Sequence, residues 1–165
     1  MILCTLLGEI TESLCLVAHE AISQAEFQKS SLTIHLDSGG GDVTPGSSLA
    51  IRIRNSPIEV TTHALMEVSS IALLIFAAGH RRECSKYSEF MLHGISAEIE
   101  LSNINTIANK LVTLKRNNQR MLHMLSEYGN LGSSFLKQKC DSGEDYFFGA
   151  SEALKLGFVH EIYDK

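Results

Sequence analysis

Short apolar segments alternate with helical repeats along the chain. Residues 2–8 form an apolar run, and residues 31–36 and 57–65 alternate apolar and polar positions, so each is predicted to be a strand. Apolar residues at helical spacing predict helices over residues 11–29, with Thr11 as N-cap, and from about residue 44 to 54. Strands and helices in this order predict an α/β fold of βαβ units with a mostly parallel sheet.

The second half of the chain continues the pattern. Residues 68–79 are apolar on every side and end on a glycine, which predicts a fully buried helix with a glycine C-cap. The other predicted elements are strands over 82–86, 89–93 and 158–162, a long helix over 103–128 and a short helix near 150–155. We expect residues 1–165 to form a single domain.

Composition narrows the classes of function. The chain has 165 residues, of which 44% are hydrophobic and 20% charged, as in ordinary globular proteins. The net charge of −5, without a cluster of Lys and Arg, disfavours nucleic-acid binding. The four cysteines lack C-x-x-C spacing, so neither a zinc site nor a disulfide framework is expected. No membrane segment, metal or cofactor is expected, and a cytoplasmic location is the prediction.

A run of glycines follows the second predicted strand. Gly39, Gly40 and Gly41 lie between Ser38 and Asp42. Consecutive glycines let the backbone adopt positive φ and approach a ligand closely, and ligands bind at the carboxyl ends of strands in α/β folds. A simple tight turn is the alternative. The dinucleotide and P-loop fingerprints are both absent from this run.

Four polar side chains beside apolar runs are candidates for catalysis. Ser69 and Ser70 lie at the start of the apolar helix, directly before the run 71–76, where one serine suffices as N-cap, and the free N–H groups of a helix start can stabilise an oxyanion. His93 ends a predicted strand, although a core histidine is the simpler interpretation. Asp145 directly precedes aromatic residues, which places it at the edge of the core.

Four segments, taken in order, resemble motifs of the Clp protease (ClpP-like) proteolytic-subunit family, which are serine peptidases. They are the glycine motif at 37–46, the nucleophile motif at 66–70 with its apolar helix to Gly79, the Met91-Leu92-His93 stretch, and residues 145–153. Each motif alone is weak evidence. Together they cover nearly the whole chain in the family's order.

The resemblance implies roles for individual residues. Ser70 rather than Ser69 matches the nucleophile, because the motif places it nine residues before Gly79. His93 matches the general base, and Asp145 the acid that orients it, with Asp141 as fallback. The resemblance assigns the oxyanion hole to the backbone N–H groups of Gly41 and Ile71, and substrate binding to Gly39, Gly40 and Gly94.

The resemblance also implies an architecture and partners. It predicts a ClpP/crotonase-like fold with a protruding handle at about 94–129, and a homo-oligomeric chamber of heptameric rings that cuts peptides or unfolded protein. Several positions depart from the family: Met66 replaces a glycine, Gly39 replaces a proline, and the segment after His93 is not glycine-rich. The resemblance starts at the first strand, without the axial segment that contacts the ATPase, so a Clp-type ATPase partner is left open.

Two other functions are compatible with parts of this pattern. A crotonase-type acyl-CoA enzyme shares the general fold and also uses a backbone oxyanion hole. A catalytically inactive subunit that fills a place in a ring is the other alternative. Neither needs the set Ser70, His93 and Asp145, so the presence of all three favours the peptidase.

Overall fold

A computed structural model of the chain describes residues 1–95 and 103–163. In chain order its elements are β1 (Ile2–Leu7), α1 (Glu12–Phe27), β2 (Leu32–Ser38), α2 (Val43–Arg54), β3 (Val60–Ser69), α3 (Ile71–Ala77), β4 (Arg81–Ser85), β5 (Glu89–Leu92), α4 (Ile104–Gly129), α5 (Ser133–Asp141), β6 (Tyr146–Gly149), α6 (Ala150–Lys155) and β7 (Glu161–Tyr163). Thr11 caps α1, as the sequence predicts, by accepting the Leu14 N–H on its hydroxyl.

The strands form a mostly parallel sheet in the order β1-β2-β3-β4-β7. The long strand β3 pairs with β4 through its first half and with β5 through its second half, both in parallel. Strand β6 then pairs antiparallel with β5. The predicted α/β class with a mostly parallel sheet is confirmed.

The core lies between the sheet and the helices, with α3 at its centre. Every residue of α3 is buried, which explains why this segment of the sequence is apolar on all sides. The Phe90 ring on β5 packs 5.3 Å from both Phe76 of α3 and Phe148 of β6, centroid to centroid. These rings fix the β5–β6 hairpin against α3, and hence the residues that follow β5 and precede β6.

The prediction that the apolar helix begins at residue 68 is wrong. Strand β3 continues through Ser69, because Val68 and Ser69 pair with Phe90 and Met91 of β5, and the helix starts only at Ile71. Apolar periodicity cannot separate a buried strand from a buried helix over such a short run. The last predicted strand, 158–162, is also misplaced: β7 covers Glu161–Tyr163.

Arg82 fixes the C-terminal segment to the sheet. Its buried guanidinium donates to the carbonyl oxygens of Phe158 at 2.7 Å, Gly157 at 3.2 Å and Gly79 at 3.4 Å. Burial lowers the pKa of Arg82 to about 10, which leaves it charged at neutral pH. The side chain therefore joins β4, the end of α3 and the turn before β7 through charge-assisted hydrogen bonds.

Helix α4 has 26 residues, or about 39 Å at 1.5 Å per residue. Its buried residues, Met121, Leu125 and Gly129, all lie toward its C-terminus, where it packs on α3. The N-terminal part of α4 has no buried side chain, as expected for the predicted handle at 94–129. Residues 96–102 of that handle lie outside the described part of the chain.

Burial keeps the cysteine side chains as thiols. Cys4, Cys15 and Cys84 are buried and Cys140 is half-buried, and all four are free. Burial raises the pKa of Cys84 and of Cys140 to about 11. Both are therefore protonated at neutral pH and poor nucleophiles.

Among the helices in residues 1–95 and 103–163, none combines the length and the apolar character that crossing a membrane requires.

An ion pair between α1 and α2 makes stability depend on pH. Arg52 donates to both carboxylate oxygens of Glu26 at 2.6 Å, and the Ser56 hydroxyl donates to one of them at 2.9 Å. The hydrogen bond from Arg52 is the main cause that lowers the pKa of Glu26 below its ordinary value of 4.5. The contribution of this ion pair to the free energy of unfolding is therefore complete above about pH 5. It is lost as the pH falls through the lowered pKa of Glu26 in the folded protein.

We expect Glu26→Gln to lower the free energy of unfolding by about 1 kcal/mol at pH 7, and by much less at pH 3. Urea denaturation at the two pH values measures both effects. The exposed Glu20→Gln on the same helix is the matched control and should cost less than about 0.5 kcal/mol at either pH. An equal loss for Glu26→Gln at pH 7 and pH 3 would rule out the ion pair as its source.

Candidate active site

Ser70 and His93 form a hydrogen bond at the carboxyl edge of the sheet. His93 Nε2 lies 2.8 Å from Ser70 Oγ. Ser70 directly follows β3 and His93 directly follows β5, and the two strands pair with Ser69 opposite Met91. The Ser70 N–H donates to the Met91 carbonyl at 2.9 Å. Parallel pairing therefore brings the two side chains to the same edge, where α/β folds bind ligands.

Ser70 occupies a conformation that few non-glycine residues adopt. Its φ of 57° and ψ of −127° place it in a sharp turn between β3 and α3. Such a conformation costs on the order of 1–3 kcal/mol and persists only where the surroundings impose it. The Ser70 side chain makes no capping bond to α3, so its hydroxyl is free to engage His93. Strained backbone of this kind clusters at active sites, ligand-binding segments and switch regions.

Gly40 is required by the close approach of the Ser70 turn. The Gly40 φ is +108°, and a Cβ atom there would lie 2.7 Å from Ser70 Cβ and 3.1 Å from the Ser69 carbonyl oxygen. Both the backbone conformation and the space demand glycine. The glycine run thus packs directly against the residue that carries the hydroxyl.

We expect Gly40→Ala to displace the Ser70 turn and lower any hydrolytic activity at least 100-fold, because displacement of about 1 Å can cost that much. Peptide hydrolysis measures the loss, and urea denaturation gives the accompanying change in stability. Gly132→Ala is the control, since a Cβ atom there meets nothing within 4 Å and its φ is −58°. Wild-type activity in Gly40→Ala would contradict the role of this contact.

The backbone N–H groups of the residues that follow Gly40 and Ser70 have no protein acceptor among the described residues. The Ile10 N–H donates to the Gly40 carbonyl and the Asp42 N–H donates to the Ile10 carbonyl, both at 2.8 Å. These two hydrogen bonds join Ile10 to Gly40 and Asp42, and they do not involve the N–H of Gly41, which lies between Gly40 and Asp42. The Ile71 N–H belongs to the first turn of α3, where it has no intrahelical acceptor. In the described part of the chain neither N–H donates to a protein acceptor.

His93 directly follows β5 and Asp145 directly precedes β6, and no hydrogen bond joins the two among the described residues. The last pair of the β5–β6 ladder joins Leu92 to Tyr146, so His93 and Asp145 occupy the next opposite positions. The Asp145 side chain is exposed, as is that of Asp141 at the end of α5. Among the hydrogen bonds and ion pairs of the described residues, none joins His93 to either carboxylate. Two of the three proposed triad residues are therefore in contact.

Helix α4 contacts the segment that follows His93. The Ile95 N–H donates to Asn118 Oδ1 at 3.1 Å, so α4 holds this segment directly beyond the histidine. A Cβ on Gly94 would lie 3.5 Å from the Cys140 carbonyl oxygen, an ordinary contact, so sterics do not require glycine there. Sequence reasoning missed Asn118, because one polar residue in a largely exposed helix carries no signal.

Ser69 has a different partner from Ser70. Its buried hydroxyl donates to Glu67 Oε1 at 2.8 Å. The two adjacent serines therefore point to different surroundings, and only Ser70 contacts a base. Glu67 was also missed by sequence reasoning, because a single carboxylate between two predicted elements resembles any solvated residue.

Comparisons with known proteins identify the family. The Clp protease family model matches residues 5–165. The chain is 30% identical to "ATP-dependent Clp protease proteolytic subunit 2" of Chlamydia pneumoniae, over 93% of this chain and 76% of that protein. It is 28% identical to "ATP-dependent Clp protease proteolytic subunit" of Borreliella afzelii, over 94% of this chain and 79% of that protein. The chain therefore belongs to the Clp protease family, and this membership supports peptidase activity.

Proposed function

We propose that the chain is a serine endopeptidase with Ser70 as its nucleophile and His93 as its general base. The observation that carries the proposal is the 2.8 Å hydrogen bond between Ser70 Oγ and His93 Nε2, made from a strained turn at the carboxyl edge of the sheet. A serine hydroxyl is a weak nucleophile until a neighbouring base accepts its proton. Membership of the Clp protease family supports peptidase activity in the same way.

The proposed reaction has two halves. Neutral His93 accepts the Ser70 proton as Oγ attacks the peptide carbonyl, and the resulting oxyanion accepts hydrogen bonds from the N–H groups of Gly41 and Ile71. His93 then donates its proton to the leaving amine, which leaves an acyl group on Ser70. A water molecule, deprotonated by His93, attacks this ester and releases the acid product as the proton returns to Ser70.

Asp145 is the proposed orienting acid. Within the described residues His93 Nδ1 has no hydrogen-bond partner, and Asp145 lies at the opposite register position. Opposite residues of an antiparallel pair have Cβ atoms about 5 Å apart, within reach of one side-chain rotation. Catalytic hydrogen bonds are often formed fully only with substrate bound. Asp141, on α5 rather than at the end of the ladder, has no such register relation to His93.

The proposed substrates are peptides or unfolded protein bound in extended form along the glycine run, Gly39 to Gly41. Gly39 and Gly41 are exposed, and Gly41 retains a free N–H beside Ser70. We expect the substrate to lie along the glycine run as an added strand that extends toward Gly94. Its backbone hydrogen bonds then do not depend on the substrate's sequence. Gly40 keeps the glycine run close to Ser70.

The proposed working form is a homo-oligomeric chamber of heptameric rings. Large apolar side chains are exposed on two separate surfaces: Leu3 and Leu7 on edge strand β1, and Ile104, Leu111 and Val112 on the N-terminal part of α4. Contiguous exposed apolar side chains mark surfaces that bind other proteins. The relatives are themselves named as proteolytic subunits.

Native mass spectrometry combined with peptide and casein hydrolysis tests this proposal. We expect particles of seven or fourteen chains that hydrolyse a fluorogenic peptide and unfolded casein. A monomer at working concentration would contradict the chamber. Assembled particles without hydrolysis would favour the inactive-subunit alternative, and turnover of an acyl-CoA thioester instead would favour the crotonase-type one.

A further inference from the structure

Glu67 is held in a fixed position next to the active-site turn. It lies on β3, three residues before Ser70. The Ser69 hydroxyl donates to its Oε1 at 2.8 Å, and the Glu67 backbone N–H donates to Asp37 Oδ1 at 2.9 Å. The residue is nevertheless exposed. A buried neighbour therefore orients a carboxylate that faces solvent.

This carboxylate lies at ordinary contact distance from the position that a side chain on Gly39 would take. An ideal Cβ on Gly39 would lie 3.6 Å from Glu67 Oε1 and 4.0 Å from Oε2. Residues opposite one another in a β-ladder place their side chains on the same face. A substrate residue laid opposite Gly39 thus has its side chain on the face where Glu67 lies.

The Glu67 carboxylate retains free acceptor capacity. Its Oε2 accepts no hydrogen bond from the described residues, and the ion pairs in that part of the chain do not include Glu67. A substrate cation at this position meets an oriented negative charge without displacing a protein cation. An ammonium or guanidinium group complements it in charge and hydrogen bonding.

We propose that Glu67 is a specificity-determining residue that favours substrates with Lys or Arg within two residues of the cleaved bond. The inference rests on the proposed peptidase function and specifies its substrate class. The limit of two residues comes from the chain separation between Gly39, which lies beside Glu67, and Gly41, whose N–H belongs to the proposed oxyanion hole. The preference is electrostatic, so it weakens as salt screens the pair.

Matched fluorogenic peptides test this preference. Each pair of peptides carries lysine or norleucine at one position, because norleucine keeps most of the lysine side chain and lacks its charge. The position is varied over the two residues before the cleaved bond and the two residues after it. We expect kcat/KM to favour lysine about fivefold at one of them in low salt, the scale of an exposed ion pair, and less in 0.5 M NaCl. In Glu67→Gln, which keeps an acceptor for Ser69, the ratio should fall to about one. The control Glu20→Gln should keep the wild-type ratio.

Failure of this inference is distinguishable from failure of the proposed function. Wild-type protein that cleaves both peptides at equal rates at every position overturns the role of Glu67 and leaves the peptidase intact. A lysine preference that survives Glu67→Gln also overturns it. Assembled wild type that cleaves neither peptide and does not react with an uncharged fluorophosphonate overturns both proposals.

Discussion

Replacing Ser70 by alanine is expected to lower kcat/KM for peptide hydrolysis by about 10⁴-fold or more, because the acyl-enzyme route is lost. The structure gives the reason: Ser70 is the hydroxyl held 2.8 Å from His93 Nε2, whereas the adjacent Ser69 hydroxyl binds Glu67. Ser69→Ala should therefore still turn over peptide. Steady-state hydrolysis by native-mass-verified assemblies measures both variants.

His93 belongs to the same unit, so its replacement has a similar effect. Because nucleophile and base act together, Ser70→Ala and His93→Ala combined should cost little more than either alone. Full activity in Ser70→Ala, or activity lost only in Ser69→Ala, would contradict the assignment of the nucleophile.

Replacing Asp145 by asparagine is the second large effect, expected at about 10³-fold or more in kcat/KM. Asparagine fills the same space, but its amide group no longer favours the His93 tautomer with Nε2 free to accept a proton. Asp145 is exposed, so the substitution should leave the free energy of unfolding within about 0.5 kcal/mol of wild type. Peptide hydrolysis and urea denaturation on the same preparations separate the two effects.

Asp141→Asn is the matched control, because Asp141 is also an exposed aspartate near the site but lies on α5. Its activity should stay within about threefold of wild type. The reverse outcome, with Asp141→Asn the damaging change, would transfer the orienting role to that residue. If both variants kept wild-type activity, Ser70 and His93 would work without a carboxylate.

The alternation of apolar runs and helical repeats was enough to predict the sheet and most helices. One failure lies at the junction between β3 and α3. Val68 continues the apolar run of α3 and Ser69 can serve as a helix N-cap, so only the pairing with β5 reveals that they belong to a strand. Helix α5 and strand β6 had no predicted counterpart, because α5 has one buried residue, Leu136, and β6 is four residues long.

The candidate site was predictable to a different extent for each residue. Gly40 and Ser70 lie in motifs that depend on residue type, because the backbone there needs glycine next to the serine turn. The structure gives the reason: a Cβ on Gly40 would lie 2.7 Å from Ser70 Cβ. The contact of His93 with Ser70 depends on pairing between β3 and β5, which the motif order implies but local sequence does not contain. Asn118 is distinguished by its hydrogen bond to Ile95 and Glu67 by its hydrogen bonds to Ser69 and Asp37, and no pattern along the chain marks either residue.

The central claim, that Ser70 is a nucleophile activated by His93, is tested most directly by intact-mass measurement after treatment with an uncharged fluorophosphonate. The assembled wild type should gain one adduct per chain, located at Ser70 by peptide mapping, and Ser70→Ala and His93→Ala should gain none. An assembled wild type that gains no adduct, or gains it at a residue other than Ser70, would contradict the account.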